Sequence, residues 1–429
     1  MLLIGSKPLK NINIDDILDE FEGNIRFNFN IPNNNNGTKQ YIRIMNNHTY
    51  LNRSNKELTN KYKHLNIDNN YLKEFQNIYM KMEHRGGIIL AHHENKGLYN
   101  MYLSKIGCVY KIKELPRMGI HGVMMCLLDN NKSYKVNKFN KNIFITHYSL
   151  NEQDNRVHEY VNIDNNKQSN NCHNIEGEFN ILIWLHNNNY IDATLSLLQN
   201  KELPTIDCSI IKPRSIMLIK LLKKFGICIL TDYFDLSTIN KLENDYDNIF
   251  NTKKNLIEKS EKEECSNDER IFYAEKYSNS IKELFYDNNL FSDCAKAYKS
   301  NLNKKTLINK VKFKEGVITN SGAGWHRDNH DCQFKALMYL TDVNENNGNF
   351  QFITNSSKKY IGYPKPRTQN YNTRFTDETI NDLLNSNESL KLHNIIGKKG
   401  TIVLVDTTYI HRGNIIREGL RKAITQYFF

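Results

Sequence analysis

The sequence predicts two domains in tandem: an N-terminal α/β, Rossmann-like sheet and a C-terminal jelly roll, a double-stranded β-helix with flanking helices. Three observations predict this. Before residue 200, short apolar runs alternate with helical stretches, the pattern of an open α/β sheet. The segment 201–214 holds Pro204 and Pro213, lacks periodicity and reads as a linker. Beyond Val311 the chain turns β-rich after a helical lead-in, which suits a jelly roll. The expected divisions are 1–200, 201–214 and 215–429.

In chain order, 2–4 is apolar and ends at Gly5, as a first strand does. Further strands are expected at 24–30, 86–91 and 142–146, and helices at 179–185 and 191–198. Past the linker come an amphipathic helix at 215–225, a strand at 226–230 and a helix at 237–249. The stretch 253–270 is highly charged and reads as a mobile loop. Strands follow at 333–340, 349–353, 400–405 and 421–429. No internal repeat is evident.

Composition narrows the function classes. The chain has 429 residues, 39% of them hydrophobic, enough for real cores. Its net charge is +11, but Lys is spread along the whole chain without a basic block. That argues for a solvated surface and against nucleic acid, while favouring anionic small substrates. The eight cysteines include no Cys-x-x-Cys pair. The apolar stretch 216–230 is broken by Lys220, Lys223 and Lys224, so no membrane span is expected. The expected setting is a cytoplasm-like compartment with reduced thiols.

The chemistry is concentrated near the C-terminus. His326 and Asp328 form a His-x-Asp pair, His411 follows much later, and Arg421 comes ten residues after that. On extended chain, positions two apart share a face, so His326 and Asp328 can address one ion. Two imidazoles and a carboxylate suit a non-haem Fe(II) with open positions for cosubstrate and O₂. Arg421 opens an alternating strand and can hold a dicarboxylate by a two-pronged contact. His330 and Asp331 lie past the turn and read as surface groups; Lys335 and Tyr339 share a strand face that either packs or lines a pocket.

The runs GAGWHRDNHDCQFKALMYLTDVNENNGNFQFITNSS and TIVLVDTTYIHRGNIIREGLRKAITQYFF resemble the phytanoyl-CoA dioxygenase-like branch of the 2-oxoglutarate/Fe(II) oxygenases, over about 215–429. The resemblance implies His326, Asp328 and His411 as iron ligands and Arg421 as the anchor of 2-oxoglutarate. It also sets Asn414 near the cosubstrate. The implied reaction converts 2-oxoglutarate and O₂ to succinate and CO₂ and hydroxylates an unactivated C–H. Asn355, Ser356 and Ser357 replace the family's Gly-Ser-His, a departure at the substrate rim.

Four pieces of the N-terminal half, in order, resemble the sialyltransferases, the family 29 glycosyltransferases. They are LLIGSKP with NIRFNFNIPNNNNGTK, PRMGIHGVMMCLL, the pair His147-Tyr148, and His173 with Glu178 five residues on. A glycine turn after a first strand, here Gly5, lets backbone amides approach a phosphate. Arg26 and Asn28 suit a nucleotide by charge and by paired donors and acceptors. His173 suits a general base on an acceptor hydroxyl, with His147 assisting the leaving phosphate. The resemblance implies a CMP-sugar donor. Ser6 and Ser149 depart from the family pattern, which leaves open a domain that only binds a glycan or nucleotide-sugar. The joint expectation is a dioxygenase fused to a transferase, acting on a glycan or sugar-bearing small molecule.

Overall fold

A computed structural model describes residues 2–4, 11–21, 24–27, 42–46, 88–91, 96–113, 118–128, 143–146, 175–259, 268–297, 303–316, 324–328, 333–357 and 374–429. The chain divides into two compact units, Met1–Glu202 with Ile210–Pro213, and Leu203–Ser209 with Arg214–Phe429.

The N-terminal unit carries strands β1 (Leu2–Ile4), β2 (Asn24–Phe27), β3 (Ile42–Asn46), β4 (Ile88–Ala91) and β5 (Phe144–Thr146). They form one parallel sheet in the order β4-β3-β2-β1-β5. Strand β1 is wholly buried, as a central parallel strand must be. The helix expected at 179–185 lies within Ile175–Asn187. The helix expected at 191–198 is instead a 3-10 turn, Thr194–Leu197. Every residue of that turn is buried, so it has no solvent face to impose a helical period.

The C-terminal unit holds β6 (Thr205–Asp207), β7 (Ile227–Thr231), β8 (Glu258–Lys259), β9 (Asp268–Phe272), β10 (Lys304–Lys312), β11 (Trp325–His326) and β12 (Phe334–Tyr339). The series continues with β13 (Phe350–Thr354), β14 (Arg374–Phe375), β15 (Lys391–Ile395), β16 (Ile402–Asp406), β17 (His411–Gly413) and β18 (Leu420–Phe428). An eight-stranded sheet runs β6-β7-β16-β12-β18-β10-β9-β8, and a five-stranded sheet runs β14-β11-β17-β13-β15. One hydrophobic cluster takes Tyr339, Val403 and Val405 from the first sheet and Phe350, Phe352 and Ile395 from the second. The two sheets thus share a core, the layering of a jelly roll.

Two expectations are corrected here. Part of the expected linker, Thr205–Asp207, is a strand that extends the large sheet parallel to β7. Its Thr205 and Ile206 are buried, which the flanking prolines obscured. The stretch 253–270, read as a mobile loop, contributes β8 and the start of β9. Both β8 residues are exposed, and β9 turns Asp268 and Arg270 toward a cavity, so apolar alternation is missing from the stretch.

Helices brace the outer face of the large sheet. Ser215–Phe225 buries Met217, Leu218, Leu221 and Leu222, a helical spacing in which each side chain contributes about 1.5–3 kcal/mol. It stops at Gly226, whose φ of 74° is left-handed and where a Cβ would meet the Tyr409 ring at 2.5 Å. The helix Leu236–Thr252 starts at Asp235, whose carboxylate accepts from Thr238 N–H at 2.7 Å. Its Glu243 and Asp247 pair with Lys422 of β18 at 3.1 and 2.8 Å. Lys422 therefore faces outward, which turns its neighbour Arg421 inward. Among the described residues no helix is long and apolar enough to cross a membrane.

Candidate metal centre and its cavity

His326 and His411 face each other across the β11–β17 register. Asp328 follows in the turn after β11, anchored by its N–H to Thr407 O at 3.1 Å. Between them, Arg327 turns the other way and donates to Ser356 O at 2.7 Å. The two-residue alternation expected from His-x-Asp is therefore present. His326 Nε2 lies 3.6 Å from Asp328 Oδ1, and His411 Nε2 lies 3.5 Å from Asp328 Oδ2. One donor atom from each of the three residues falls within 4.8 Å of the others.

The main chain sets the proton on both imidazoles. His326 Nδ1 donates to Gly324 O and His411 Nδ1 to Tyr409 O, each at 2.9 Å. A carbonyl only accepts, so the proton sits on Nδ1 and Nε2 presents a lone pair to the centre. Burial, with His326 beside it, pushes His411 down, against the pull of Asp328, which favours the neutral ligand form. Burial alone would push the Asp328 carboxyl up. Lys335 and the two imidazoles outweigh it and hold that carboxyl well below the usual range. Two imidazole nitrogens and one ionised carboxylate, without a thiolate, fit a ferrous ion.

Lys335 approaches Asp328 Oδ2 at 2.5 Å. Its ammonium also sits over the Tyr427 ring, 4.2 Å from the centroid. Burial pushes Lys335 down, but Asp328 and Tyr427 raise it further, so it is charged. Tyr339, two strand positions deeper on the same face as Leu337, belongs to the core. Its hydroxyl donates to Ile395 O at 2.8 Å and accepts from Phe350 N–H at 3.1 Å.

A cavity of about 270 Å³ opens over the three ligands. Arg421 lines it from β18, 7% exposed. Its Nη1 donates to Gly348 O, while its Nε is buried with no hydrogen-bond partner among the described residues. A buried, unmet guanidinium N–H facing a cavity fits a carboxylate from a ligand. Gly413 faces the same guanidinium, where a Cβ would stand 3.6 Å from Nη1.

Asn414 does not line that cavity. Its amide donates to Asn349 Oδ1 at 2.9 Å and accepts from Ile415 N–H at 2.9 Å, so it fixes the loop beside Arg421. Arg270 was hidden in the stretch read as a loop, yet it lines the cavity from β9. The one signal for it was the alternation of Asp268 and Arg270 with apolar Ile271 close by.

In the N-terminal unit, Arg26 sits in β2, paired in register with Ile4 and Arg43. Gly5, Asn28, His147 and His173 lie outside the described residues, as do His330 and Asp331. Glu178 is buried in Ile175–Asn187, and residues 118–128 of the second motif are helical.

Residues 222–417 match the family Phytanoyl-CoA dioxygenase (PhyH). The match lies wholly within the C-terminal unit and leaves the sialyltransferase resemblance of the N-terminal half without a counterpart. No curated protein matches the chain. Similar solved structures include SnoN, a non-heme alpha ketoglutarate dependent epimerase from nogalamycin biosynthesis, 12% identical with a TM-score of 0.40. That likeness covers 50% of this chain and 82% of the epimerase. Another is EctD from S. alaskensis with bound Fe, 18% identical with a TM-score of 0.37, covering 49% of this chain and 75% of EctD. With the family match and the His-Asp-His cluster together, the C-terminal domain is of the iron- and 2-oxoglutarate-dependent oxygenase kind.

Proposed function

We propose that the C-terminal unit is a 2-oxoglutarate- and Fe(II)-dependent hydroxylase of a small molecule. One observation carries this reading. His326, His411, Asp328 and Arg421, whose Nε has no hydrogen-bond partner among the described residues, border a single cavity. In this reading His326, Asp328 and His411 hold the iron, which supplies O₂ activation coupled to decarboxylation of 2-oxoglutarate. Arg421 binds the distal carboxylate of the cosubstrate and orients its keto acid end toward the three ligands. Asn414 acts at one remove, by setting the backbone around Arg421. Leu337, Val403, Val405 and Phe350 give the wall an apolar surface that excludes bulk water. A reducing, cytoplasm-like compartment belongs to the reading, since the ion must stay ferrous.

The test is succinate release by the purified chain with Fe(II), 2-oxoglutarate and O₂, followed by a metabolite screen for compounds that stimulate it. Absence of succinate with a correctly folded, iron-loaded protein ends the reading.

For the N-terminal unit we propose a CMP-sugar-dependent glycosyltransferase acting on the same glycan or sugar-bearing metabolite. Its support is the four motif pieces and a parallel sheet in which β1 stands between β2 and β5. Chain order reverses there, and such switch points receive ligands at the carboxyl ends of the strands. Gly5 and His147 follow those two strands in sequence. The rival is a unit that binds a glycan or nucleotide-sugar without turnover. CMP release from a CMP-sugar, lost in His173→Ala, supports transfer; equal background in both proteins removes it.

A further inference from the structure

The charge balance of the cavity points to the class of the substrate. Arg327 is set aside, since its guanidinium turns to Ser356. Arg374 is exposed to solvent, so the enclosed part of the lining holds Arg270, Lys335 and Arg421 against two carboxylates, Asp268 and Asp328. That enclosed lining therefore carries one surplus positive charge. A ferrous ion adds two more and the 2-oxoglutarate dianion removes two, so the loaded site keeps the same surplus. In a confined, partly apolar space such a surplus attracts an anion and disfavours a cation.

We propose that the primary substrate is an anion, carrying a carboxylate or a phosphate, and that Arg270 receives it. This rests on the hydroxylase reading above. Arg270 belongs to β9, on the far side of β10 from Arg421. Two strand spacings separate the two arginines, roughly 10 Å across the sheet. Arg270 is thus a second cationic anchor on another strand. It is also held ready. Its Nε and Nη2 both donate to Asp268 Oδ2, at 2.9 and 2.6 Å, and Asp268 is 2% exposed. Asn309 of β10 donates to the other oxygen of Asp268 at 3.4 Å. The Asp268 pair uses one edge of the guanidinium and leaves Nη1 outside it. A guanidinium fixed this way loses little side-chain entropy when an anion arrives.

Arg374 stands on the opposite sheet, directly across the ladder from His326. Its exposed guanidinium adds a solvent-screened cation at the same cavity. The surrounding Leu307, Leu337 and Phe350 suit the carbon skeleton that bears the charged group.

The test uses the full chain loaded anaerobically with Fe(II) and 2-oxoglutarate. Inorganic phosphate and acetate are titrated separately by calorimetry, which distinguishes the two anion types. Saturable binding of either is expected, weakened about tenfold as salt rises from about 50 to about 500 mM. Arg270→Gln should weaken it about tenfold or more, and Arg270→Lys, which keeps the charge, by only about threefold. In a succinate-stimulation screen of matched pairs, carboxylic acids or phosphate esters should stimulate and the corresponding alcohols should not. Three results overturn the proposal: neither anion binds the loaded protein, Arg270→Gln binds them as the unaltered chain does, or Arg270→Gln instead loses 2-oxoglutarate. If the Fe(II)–2-oxoglutarate complex itself fails to form, the hydroxylase reading falls and takes this one with it.

Discussion

The two sheets of the C-terminal unit contribute different chemistry to one cavity. The five-stranded sheet supplies His326 and His411 from strands of two and three residues. The eight-stranded sheet supplies Arg270, Lys335 and Arg421 from strands of five, six and nine. Coordination demands a lone pair aimed within a few degrees. Short strands suffice because each imidazole is fixed by its own bond to a nearby carbonyl. Long-range charge demands placement rather than aim. The long ladders provide it, since register alone fixes which side chains share the inner face.

Variants can break the two contributions separately. The largest effect is expected on the short-strand side. His326→Ala should lower iron affinity and succinate formation by at least about a hundredfold, because it removes a ligand outright. Metal analysis after desalting and succinate assay check this, and retention of both would end the coordination role of that sheet. On the long-strand side, Arg421→Gln should weaken 2-oxoglutarate about tenfold to a hundredfold by loss of a charge-assisted contact. Metal affinity, measured by Mn(II) titration, should hold within about threefold if the two contributions are separable.

Lys335 joins the two sides and sharpens the comparison. Lys335→Met leaves Asp328 buried without its cation, so the metal-free protein should lose about 3 kcal/mol of stability. Mn(II) should then stabilise the variant more than it stabilises the unaltered chain, because the ammonium no longer competes for the carboxylate. Calorimetric unfolding with and without Mn(II) reads both. Equal metal-induced shifts would show that the ammonium does not oppose the ion.

The smallest effect concerns the outer face of the long sheet. Burial pushes the Glu243 carboxyl up, but Lys399 and Lys422 outweigh it and bring it below its ordinary value of 4.5. A depressed folded value means stability that is present above pH 4.5 and fades as the pH falls through the folded value. The stability difference between Glu243→Gln and the unaltered chain should therefore be constant near neutrality and shrink on acidification. A difference that grows in acid would reverse the sign.

The same contrast explains what was legible in the sequence. His326, Asp328, His411 and Arg421 stood out because ligand chemistry needs those residue types at those spacings. Apolar strands such as β12, β13 and β16 announced themselves by burial on both or alternate faces. Strands β9 and β10 did not. Their inner faces carry Asp268, Arg270 and Asn309 into a polar cavity, so hydrophobic alternation is lost where the function is. Lys335 was visible as a pocket candidate, but only the fold brings it against Asp328. The deep placement of Tyr339 likewise depends on strands far away in the chain.

The carbonyls of Gly324 and Tyr409 have one more implication. Every amino acid carries a main-chain oxygen, so replacing either residue leaves the same acceptor in place as long as the loop keeps its path. That condition is demanding at 324, where φ is 92° and favours glycine, and at 409, where the ring is buried against Phe352. The groups that set the two tautomers are main-chain atoms, held in place by the backbone path of their loops.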